Sequence, residues 1–506
     1  RAGCASLMAR RSRKSAASNQ AAAAPITVAQ GGTWAPLSDQ SLCKIQQTAF
    51  TILTDIGVSE APDTLCDIII DAGGRCENDR LFYPRDLLEA VVQEGPKQVL
   101  LAGQNALHDL KLGGSASYTG TGGAAPTVLD DETKTYHPST LADLFSAARL
   151  ADTLDHIHFF SRSVVARDIE DPLEFDLGTA VASVFGTSKH VVVSASEAAH
   201  VPKIAELCYE IAGGEAAFRE RPFLSLNINH AVPPLRMHAP SIAVMHAAVD
   251  AGIPVHCNVF GQLGASSAVT LAGSVAQTLA EVLAGLAFVH TLDPQAPRIA
   301  GPRPMIIDLR SGGMAGGAGE QSMATAMAAQ ALRAWQIPCS VIAGATDSKL
   351  VDFQSGYEKA TTIQSAMQSG ANLITQAAGA QAALMGVSFA AMVADNDMLG
   401  AILRANILPE ISEETLALAA ITEVVAGEGH FLGRPETYAR MRSDFLYPDV
   451  ADRGLIEEWQ ASDKLDMGGR AAQQARMVLQ NHWPKHTSQA LRDRYLKRFG
   501  LPLGPA

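Results

Sequence analysis

The residues best suited to do chemistry in this chain lie in one polar segment, residues 344–349, which reads GATDSK. An apolar run at 339–343 precedes the segment, so its side chains should sit where a buried strand ends. A carboxylate at such a place can hold a cation or accept a proton, and we therefore expect Asp347 to be catalytic. The sequence leaves one alternative open, namely that Asp347 only caps the helix that follows.

Other side chains near the ends of apolar runs would complete a binding site around Asp347. Polar side chains at such ends usually face ligands, and an arginine there can bind a carboxylate through two parallel hydrogen bonds. Aromatic side chains that line a pocket suit a quaternary ammonium group, because its charge is attracted to the ring faces. Two neighbours, Glu358 and Lys359, are expected to be solvated or paired structurally. We expect the substrate to contact Tyr118, Phe160, Asn229, His230, Phe260, Arg303, Arg310, Phe353, Tyr357 and Gln376.

A glycine-rich segment at 312–319 reads GGMAGGAG and opens a long alanine-rich stretch. No Lys-Ser or Lys-Thr follows it, so it is not a phosphate-binding loop of the Walker type. Two interpretations stay open: a flexible loop that lets the next helix pack tightly, or a close backbone approach to a bulky ligand. On the second interpretation Gly312, Gly313 and Gly316, together with Gly344, would face a cofactor.

Composition argues against several classes of protein. The net charge of −13 leaves no basic face in excess, which argues against nucleic-acid binding. The chain has no run of 18 apolar residues, so we expect no membrane span. Its seven cysteines contain no CxxC pair, which favours a reducing compartment, and we expect a cytoplasmic protein. With no HExxH motif and no tight Cys/His cluster, we expect no bound metal.

A repeating pattern of strands and helices would bring these side chains together. Because a helical crossover joins successive strands in the same direction, each repeat predicts a parallel βαβ unit. With an extended segment near Tyr118 as the first, eight strands are expected, which indicates a (β/α)8 TIM barrel. The alternative is an open doubly wound sheet, which would usually carry a glycine phosphate loop after an early strand. The later apolar runs lie at 156–160, 190–194, 222–228, 254–260, 298–301, 338–343 and 372–377, with helical stretches between them.

The barrel is expected at residues 101–395, with helical extensions on both sides. Residues 1–35, basic and then alanine-rich, predict a flexible leader. Residues 36–100 predict an N-terminal helical segment in which Ser38 caps the first helix. Residues 396–506 predict a C-terminal helical extension. The glycine- and alanine-rich barrel helices permit tight packing between copies, and we expect a homo-oligomer.

Several short motifs occur in an order that characterises one known family. They are PPLR at 233–236, VTLAG at 269–273, Gln277, EVLAG at 281–285, DLRSG at 308–312, TDSK at 346–349 with Asp352, GAN at 370–372 and GHFLG at 429–433. On these motifs the chain resembles the trimethylamine methyltransferase family, and in particular its non-pyrrolysine branch, which demethylates glycine betaine and related quaternary amines. The fold of that family is a TIM barrel, which agrees with the strand count.

The resemblance implies transfer of a methyl group from a quaternary amine to the cob(I)alamin of a separate corrinoid carrier protein. In the trimethylamine enzymes a pyrrolysine precedes the TDSK-like segment, whereas this chain has Gly344 or Ala345 there. The difference favours a donor whose leaving group is a neutral tertiary amine and needs no proton. Many relatives have a His near the end of the eighth strand, where this chain has Gln376, so we expect a different contact with the substrate tail.

The GHFLG segment, with Glu428 before it, approaches D-x-H-x-x-G, the pattern by which corrinoid carrier proteins ligate cobalt. Here Glu replaces the Asp, and no Rossmann-like array follows. We therefore interpret the segment as a turn between helices near the barrel mouth, with His430 towards the cofactor.

Three other functions stay open as alternatives. The first is a methyltransferase of the same fold that serves a sulfonium or tertiary amine donor. The second is a betaine-binding or corrinoid-partner protein without turnover. The third is a nucleotide enzyme that uses the glycine-rich loop, for which nucleotides should raise the thermal stability.

Overall fold

Helices alternate with parallel strands in this α/β protein, of which the computed structural model describes residues 28–427 and 429–504. Within these residues the strands of the alternating pattern are β1 (Ala116–Thr119), β2 (Phe159–Ser161), β3 (His190–Val193), β4 (Leu224–Asn229), β5 (Val255–Gln262), β6 (Arg298–Met305), β7 (Ser340–Ile342) and β8 (Leu373–Thr375). The long helices that follow them are α1 (Leu141–Asp152), α2 (Pro172–Gly186), α3 (Val201–Ala212), α4 (Ala239–Asp250), α5 (Leu271–Leu292), α6 (Gly319–Ala334), α7 (Phe353–Ser369) and α8 (Phe389–Ala405). The alternation predicted from the sequence is confirmed.

Backbone hydrogen bonds join these strands in chain order. β2 to β6 form one five-stranded parallel sheet, and β7, β8 and β1 pair in parallel within a second sheet. Single parallel bridges, Gly120 to Phe159 and Ala300 to Cys339, connect the two sheets. The short strand Ala29–Gln30 pairs antiparallel with β1. Because the eight strands are parallel to their neighbours, their carboxyl ends lie at the same edge.

Alternate residues of each strand face two different environments, as the pleat requires. Val191 lies in the main hydrophobic core between the strands and the helices. Its neighbour Val192 faces the other side and belongs to a separate apolar cluster near the amino ends of the strands. On this inner side Ser225 hydrogen-bonds the His190 ring at 2.8 Å and the His256 ring at 2.9 Å. The inner layer therefore accommodates polar groups, whereas the outer layer is apolar.

Helix α5 is long and apolar enough to cross a membrane, by length and composition only. In this protein it is a core helix, because 83% of its most apolar stretch is buried. It packs against β5, β6 and the N-terminal helix Asp39–Thr51. Its Gly285 faces the His230 ring, where an added Cβ would lie 2.4 Å from Nε2. Burial on several sides accounts for the apolar sequence of α5.

The segment before β1 contains strands as well as helices. Ser38 caps the first helix by accepting a hydrogen bond from the Ser41 N–H at 3.3 Å. Strands of two or three residues leave no periodic signal in a sequence, so the expectation of a purely helical segment missed them. Residues 1–27 of the predicted leader lie outside the described residues. The helices are Asp39–Thr51, Asp63–Asp71 and Arg85–Glu94, and the strands include Val58–Ser59, Arg75–Glu77, Arg80–Phe82, Val99–Leu101 and Leu110–Leu112.

After β8 the chain is mainly helical, and the last strand of the described residues is Gly386–Val387. Two of its helices, Glu413–Leu416 and Leu418–Ala426, are separated at Ala417, whose φ is 52°. One helix of this region, Met467–Asn481, packs on α8 and α1. The helices after α8 are Glu413–Leu416, Leu418–Ala426, Pro435–Ser443, Ile456–Gln460, Met467–Asn481 and Gln489–Arg498.

A buried ion pair ties α7 to α8: Lys359 Nζ lies 2.6 Å from Asp395 Oδ2, and the two side chains are 0% and 8% exposed. Replacing Lys359 by Met would leave a buried carboxylate without its partner, so the free energy of unfolding should fall by about 3–5 kcal/mol. The double variant Lys359→Met/Asp395→Leu should recover most of this loss, because neither charge remains buried. Urea unfolding measures both effects.

An exposed ion pair provides the control for that measurement. Lys203 lies 3.0 Å from Glu206, and both side chains are more than half exposed. Lys203→Met should change the free energy of unfolding by less than about 1 kcal/mol. Similar values for Lys203→Met and Lys359→Met would show that the buried pair has no special role in stability.

Candidate active site

The loop after β7 is held by one glutamate on α7. Glu358 Oε2 accepts a hydrogen bond from the Thr346 hydroxyl at 2.5 Å and another from the Asp347 backbone N–H at 2.8 Å. The helix itself is capped by Asp352, whose Oδ1 accepts from the Ser355 N–H at 2.9 Å. The alternative in which Asp347 caps this helix is therefore wrong. The Asp347 side chain instead faces the loop before α6.

Asp347 is half-buried, and its Oδ1 accepts a hydrogen bond from the Gly316 backbone N–H at 3.1 Å. Burial raises the pKa of the Asp347 carboxyl, and the neighbouring Glu358 carboxylate also raises it. Lys349 turns its Nζ to the Asp347 backbone carbonyl, at 2.6 Å, rather than to the carboxylate. Two carboxylates thus lie close together, and within the described residues neither forms a salt bridge with a lysine or an arginine. Such a site favours an incoming cation.

Glycines allow the loops around Asp347 to approach one another. An added Cβ on Gly317 would lie 2.3 Å from Glu358 Cδ. Gly344 has a φ of 92°, and its added Cβ would lie 2.8 Å from the Gln376 carbonyl oxygen. Because these close approaches are to other protein segments, they favour the packing interpretation of the glycine-rich loop.

A small apolar cluster lies at the carboxyl ends of β6 and β7. Its buried members are Met305, Ile342 and Ala345, against which Phe260, Met314 and Leu384 pack. The turn at 382–384 is attached to the loop that carries Asp347, since the Ala383 N–H donates to the Thr346 carbonyl at 2.8 Å. Its three residues have positive φ values of 52°, 55° and 69°, a conformation that costs energy for residues other than glycine. The apolar cluster thus adjoins the two carboxylates.

Gln376 directly follows β8, and its residue is 6% exposed. Its amide oxygen Oε1 has no hydrogen-bond partner within the described residues. A buried oxygen without a partner costs about 1–3 kcal/mol, so a donor from a ligand or water would be favourable there. Gly122 lies against this side chain, where an added Cβ would be 3.3 Å from Gln376 Cγ. The glycine therefore leaves the amide uncrowded.

Arg303 lies on β6 and is 3% exposed. Its Nη2 donates to Asn258 Oδ1 at 3.2 Å and to Ser340 Oγ at 2.9 Å, and its Nη1 donates to the Ser340 carbonyl. These partners are neutral, and burial lowers the pKa of Arg303 to about 9. A buried guanidinium among neutral groups is stabilised by an anion that reaches it. Of the two arginines predicted to contact the substrate, Arg303 is therefore the one that has only neutral partners within the described residues.

The amino-acid sequence matches the sequence profile of the trimethylamine methyltransferase (MTTB) family over residues 6–499. The chain belongs to the trimethylamine methyltransferase family. It is 30% identical over 460 residues to trimethylamine methyltransferase MttB of Desulfitobacterium hafniense. This alignment covers 90% of this chain and 91% of that protein. It is also 26% identical to the glycine betaine methyltransferase of another strain of that species, over 88% of this chain and 93% of the relative. Since these relatives are methyltransferases, this member of the family is an enzyme.

A third relative comes from another organism. The chain is 28% identical over 450 residues to trimethylamine methyltransferase MttB of Methanosarcina barkeri. This alignment covers 87% of this chain and 89% of that protein. Similarity over nearly the full length of each relative places the loop of Asp347 and the C-terminal helices within the shared family sequence.

The structure does not bring every predicted substrate residue of this trimethylamine methyltransferase family member to the Asp347 region. Tyr118 lies in the inner apolar cluster near the amino ends of the strands, and its hydroxyl oxygen accepts from the Lys111 N–H at 3.3 Å. Phe160 lies in the main core between strands and helices. His230 packs behind α5, with Nε2 2.9 Å from the Glu281 carbonyl oxygen. Each of these side chains has a packing role that its position in the sequence does not reveal.

Other predicted residues lie at the surface. Asn229 is exposed at the end of β4. Arg310, with a side chain 91% exposed, forms a salt bridge with Asp308 at 2.7 Å. His430 is exposed in the turn between helices Leu418–Ala426 and Pro435–Ser443, whereas Glu428 of the same motif lies outside the described residues. These residues lie outside the hydrogen-bonded group around Asp347.

The aromatic pair Phe353 and Tyr357 lies beside the carboxylates on α7. The ring centroids are 5.6 Å apart, and the residues are 86% and 49% exposed. The Tyr357 hydroxyl donates to Glu358 Oε1 at 3.3 Å. Together with Phe260 and Gln376, this pair is the part of the predicted substrate set that lies near the loop of Asp347. Of the predicted cofactor set, Gly316 and Gly344 lie at this loop, and Gly312 and Gly313 lie on the exposed part of the glycine-rich segment.

Glu358 is the main residue of the site that sequence analysis missed. The expectation was a solvated or structurally paired side chain, but Glu358 is 5% exposed and accepts hydrogen bonds from four groups. The eleven residues from Asp347 to Glu358 include a loop and a helix start, so the periodicity of a single helix does not relate the two side chains. The separation in sequence therefore carried no signal.

One cavity of the protein lies away from this site. It measures about 1080 Å³ and is lined in part by His156, His158 and Lys189. The two histidines lie just before β2, and Lys189 lies just before β3. It therefore lies towards the amino ends of the strands. Lys189 Nζ already donates to the carbonyl oxygens of Ala151, Leu154 and Ile157, at 2.6–2.7 Å, which satisfies its three donors. Among the described residues no group of three His, Cys, Asp or Glu side chains has an arrangement suited to a metal ion.

The contact between Gly317 and Glu358 can be tested by adding a methyl group. Gly317→Ala should displace Glu358, because the new Cβ would lie 2.3 Å from Cδ, and it should lower the free energy of unfolding by about 1–3 kcal/mol. Gly319→Ala is the matched control, since no atom lies within 4 Å of its added Cβ, and it should be neutral or stabilise by up to about 1 kcal/mol. Urea unfolding of the two variants decides, and equal effects would contradict the close packing described here.

Proposed function

We propose that this enzyme transfers a methyl group from a quaternary amine, glycine betaine or a close analogue, to the cob(I)alamin of a separate corrinoid protein. The reaction would take place at the carboxyl ends of the parallel strands of a closed (β/α)8 barrel. Closure is supported by the pairing of β8 with β1 and by the bridges Gly120–Phe159 and Ala300–Cys339, which link the two sheets. A site at this edge matches the usual place of active sites in such barrels.

The observation that carries the proposal is the pair of carboxylates, Asp347 and Glu358, which within the described residues form no salt bridge with a lysine or an arginine and lie beside an apolar cluster. A quaternary ammonium group has no N–H to donate, so it is held by charge and by contact with apolar and aromatic surfaces. Asp347 supplies the charge that a donor can reach, since it is half-buried whereas Glu358 is buried. Met305 and Phe260 supply apolar surface.

Arg303 supports a donor that carries a carboxylate as well as a cation. Its guanidinium is buried among neutral partners on the inner side of the strands, and a substrate carboxylate would give it a charged partner. Arg310, the other arginine expected to fill this role, is already paired with Asp308 at the surface. A betaine therefore fits better than trimethylamine, which has no carboxylate. The presence of Gly344 and Ala345 where the trimethylamine enzymes have pyrrolysine supports the same choice.

A separate corrinoid protein is consistent with the residues at this face. Large exposed apolar side chains occur in the loops that follow four successive strands, β5 to β8, and at the first residue of α7, which offers a surface for a protein partner. They are Val269, Leu309, Leu350, Phe353 and Met385.

In the proposed reaction the corrinoid supplies the nucleophile that takes the methyl group. The residues of this chain bind the donor in line and exclude water. Asp347 holds the ammonium, Arg303 holds the carboxylate, and the apolar cluster shields the methyl group. The leaving tertiary amine is neutral, so the site needs no general acid.

The homo-oligomer and the cytoplasmic location expected from the sequence belong to this proposal. The C-terminal extension supplies a surface for association, because Leu418, Ile421 and Val425 are 44–78% exposed on one short helix. The six described cysteines are free, which suits a reducing compartment. Light scattering of the purified enzyme measures the oligomeric state.

The function is tested by incubating the enzyme with its corrinoid carrier in the cob(I)alamin state and a panel of donors: glycine betaine, choline, tetramethylammonium and trimethylamine. Methylated corrinoid should form from glycine betaine or a close analogue. Asp347→Asn should lower kcat/KM by about 10–100-fold, because the charge that holds the donor is lost. Binding of a betaine by calorimetry without any methylated corrinoid would instead indicate the binding-protein alternative. Activity with a sulfonium alone would indicate the other donor class.

The pH dependence of the wild-type enzyme should report Asp347. A carboxylate holds the cation only when ionised, and the pKa of Asp347 is raised by burial and by Glu358. Activity should therefore fall as the pH decreases through this raised pKa, which lies above that of an ordinary aspartate. Asp347→Asn should lose that acidic limb. An unchanged limb in the variant would assign the titration to another group.

Arg303 can be tested by comparing donors with and without a carboxylate. Arg303→Met should raise KM for glycine betaine by about 10–100-fold, while KM for tetramethylammonium should stay within about twofold. Arg298→Met is the control, since Arg298 is also buried on β6 but binds His290 Nδ1 at 2.8 Å. A loss that is equal for both donors would mean that Arg303 acts only in folding.

A further inference from the structure

We infer that Glu358 is a positioning residue for the proposed reaction: it holds the Asp347 loop in place and supplies a second negative charge beside the cation. The inference rests on the proposed function, in which Asp347 holds the ammonium group of the donor. Glu358 itself is too buried and too fully hydrogen-bonded to contact the donor.

The contacts of Glu358 divide between its two oxygens. Oε2 accepts from the Thr346 hydroxyl and the Asp347 N–H, which belong to the loop after β7. Oε1 accepts from Gln354 Nε2 at 2.8 Å and from the Tyr357 hydroxyl at 3.3 Å, which belong to α7. One carboxylate thus connects the end of a strand to the start of the next helix. Removing this carboxylate would release the Asp347 backbone N–H and the Thr346 hydroxyl.

The glycine-rich loop adds a third element to this arrangement. Gly316 donates its N–H to Asp347 Oδ1, and Gly317 lies so close to Glu358 that only a hydrogen fits at its Cα. Asp347 is therefore oriented from two sides, by the loop before α6 and by Glu358 through its own backbone. The charged groups that act on Asp347 are Glu358 and Lys349, and Lys349 binds the backbone carbonyl.

The substitution Glu358→Gln separates charge from position. Its amide oxygen can accept from Thr346 and Asp347, while its NH₂ can donate to the amide oxygen of Gln354 if that side chain turns over. The loop should therefore keep its place although one negative charge is gone. KM for the quaternary amine should rise about tenfold with kcat within about twofold. The acidic limb of kcat/KM should move to lower pH, because the charge that raises the pKa of Asp347 is absent.

The substitution Glu358→Asp provides the complementary change. It keeps the charge but is one methylene shorter, so the carboxylate cannot reach the loop and the contacts on α7 together. Here kcat should fall about tenfold or more, because the donor is no longer held in line. Glu320→Gln, which removes an exposed charge near the start of α6, is the control for a general change in charge and should leave KM and the pH profile unchanged.

The outcome can be separated from that of the proposed function by a binding measurement. Calorimetric titration with tetramethylammonium and with glycine betaine reports cation binding even without the corrinoid protein. Weaker binding of both ligands to Glu358→Gln, with the pH dependence of that binding displaced to lower pH, supports the inference whether or not methyl transfer occurs. Unchanged affinity and an unchanged pH profile in Glu358→Gln overturn it, even if the wild-type enzyme methylates the corrinoid. If Glu358→Gln does not fold, an unchanged kcat in Glu358→Asp overturns the positioning role.

Discussion

A single carboxylate organises the carboxyl end of β7. Glu358 is buried, yet in the part of the chain that the structure describes it forms no salt bridge with a lysine or an arginine, and four hydrogen-bond donors from the loop and from α7 stabilise it instead. A buried charge of this kind is costly unless each lone pair is used. Because Glu358 satisfies that requirement with the Thr346 hydroxyl and the Asp347 N–H, the conformation of the loop and the burial of the charge depend on each other.

That constraint explains why the surrounding segments are rich in small residues. Gly317 leaves room for Glu358, and Gly344 allows the ends of β7 and β8 to approach. The same packing places Ala345 in the apolar cluster with Ile342. The site therefore joins negative charge to an apolar surface within one loop, a combination that suits a cation without hydrogen-bond donors.

The inner layer of the strands carries the opposite charge. Arg303 binds neutral partners on β5 and β7, and the hydrogen-bonded His190, Ser225 and His256 lie on the same side of the strands. Burial lowers the pKa of His190 to about 4 and that of His256 to about 3, so both imidazoles are neutral near pH 7. Arg303 is therefore the charged group among these inner side chains.

The amino-acid sequence by itself determined the alternation of strands and helices, the position of the loop at 344–349 at a strand end, and the family. Apolar runs and family motifs are local patterns of the sequence, so they can be recognised without the structure. The tertiary structure decided which strand-end side chains meet: Phe260 and Gln376 lie near the loop, whereas Tyr118 and Phe160 are packing residues. Strand pleat and stagger set those directions, and they follow from pairing between distant segments. For the same reason only the folded chain joined Glu358 to the backbone of Asp347, since a loop and a cap residue separate them in sequence.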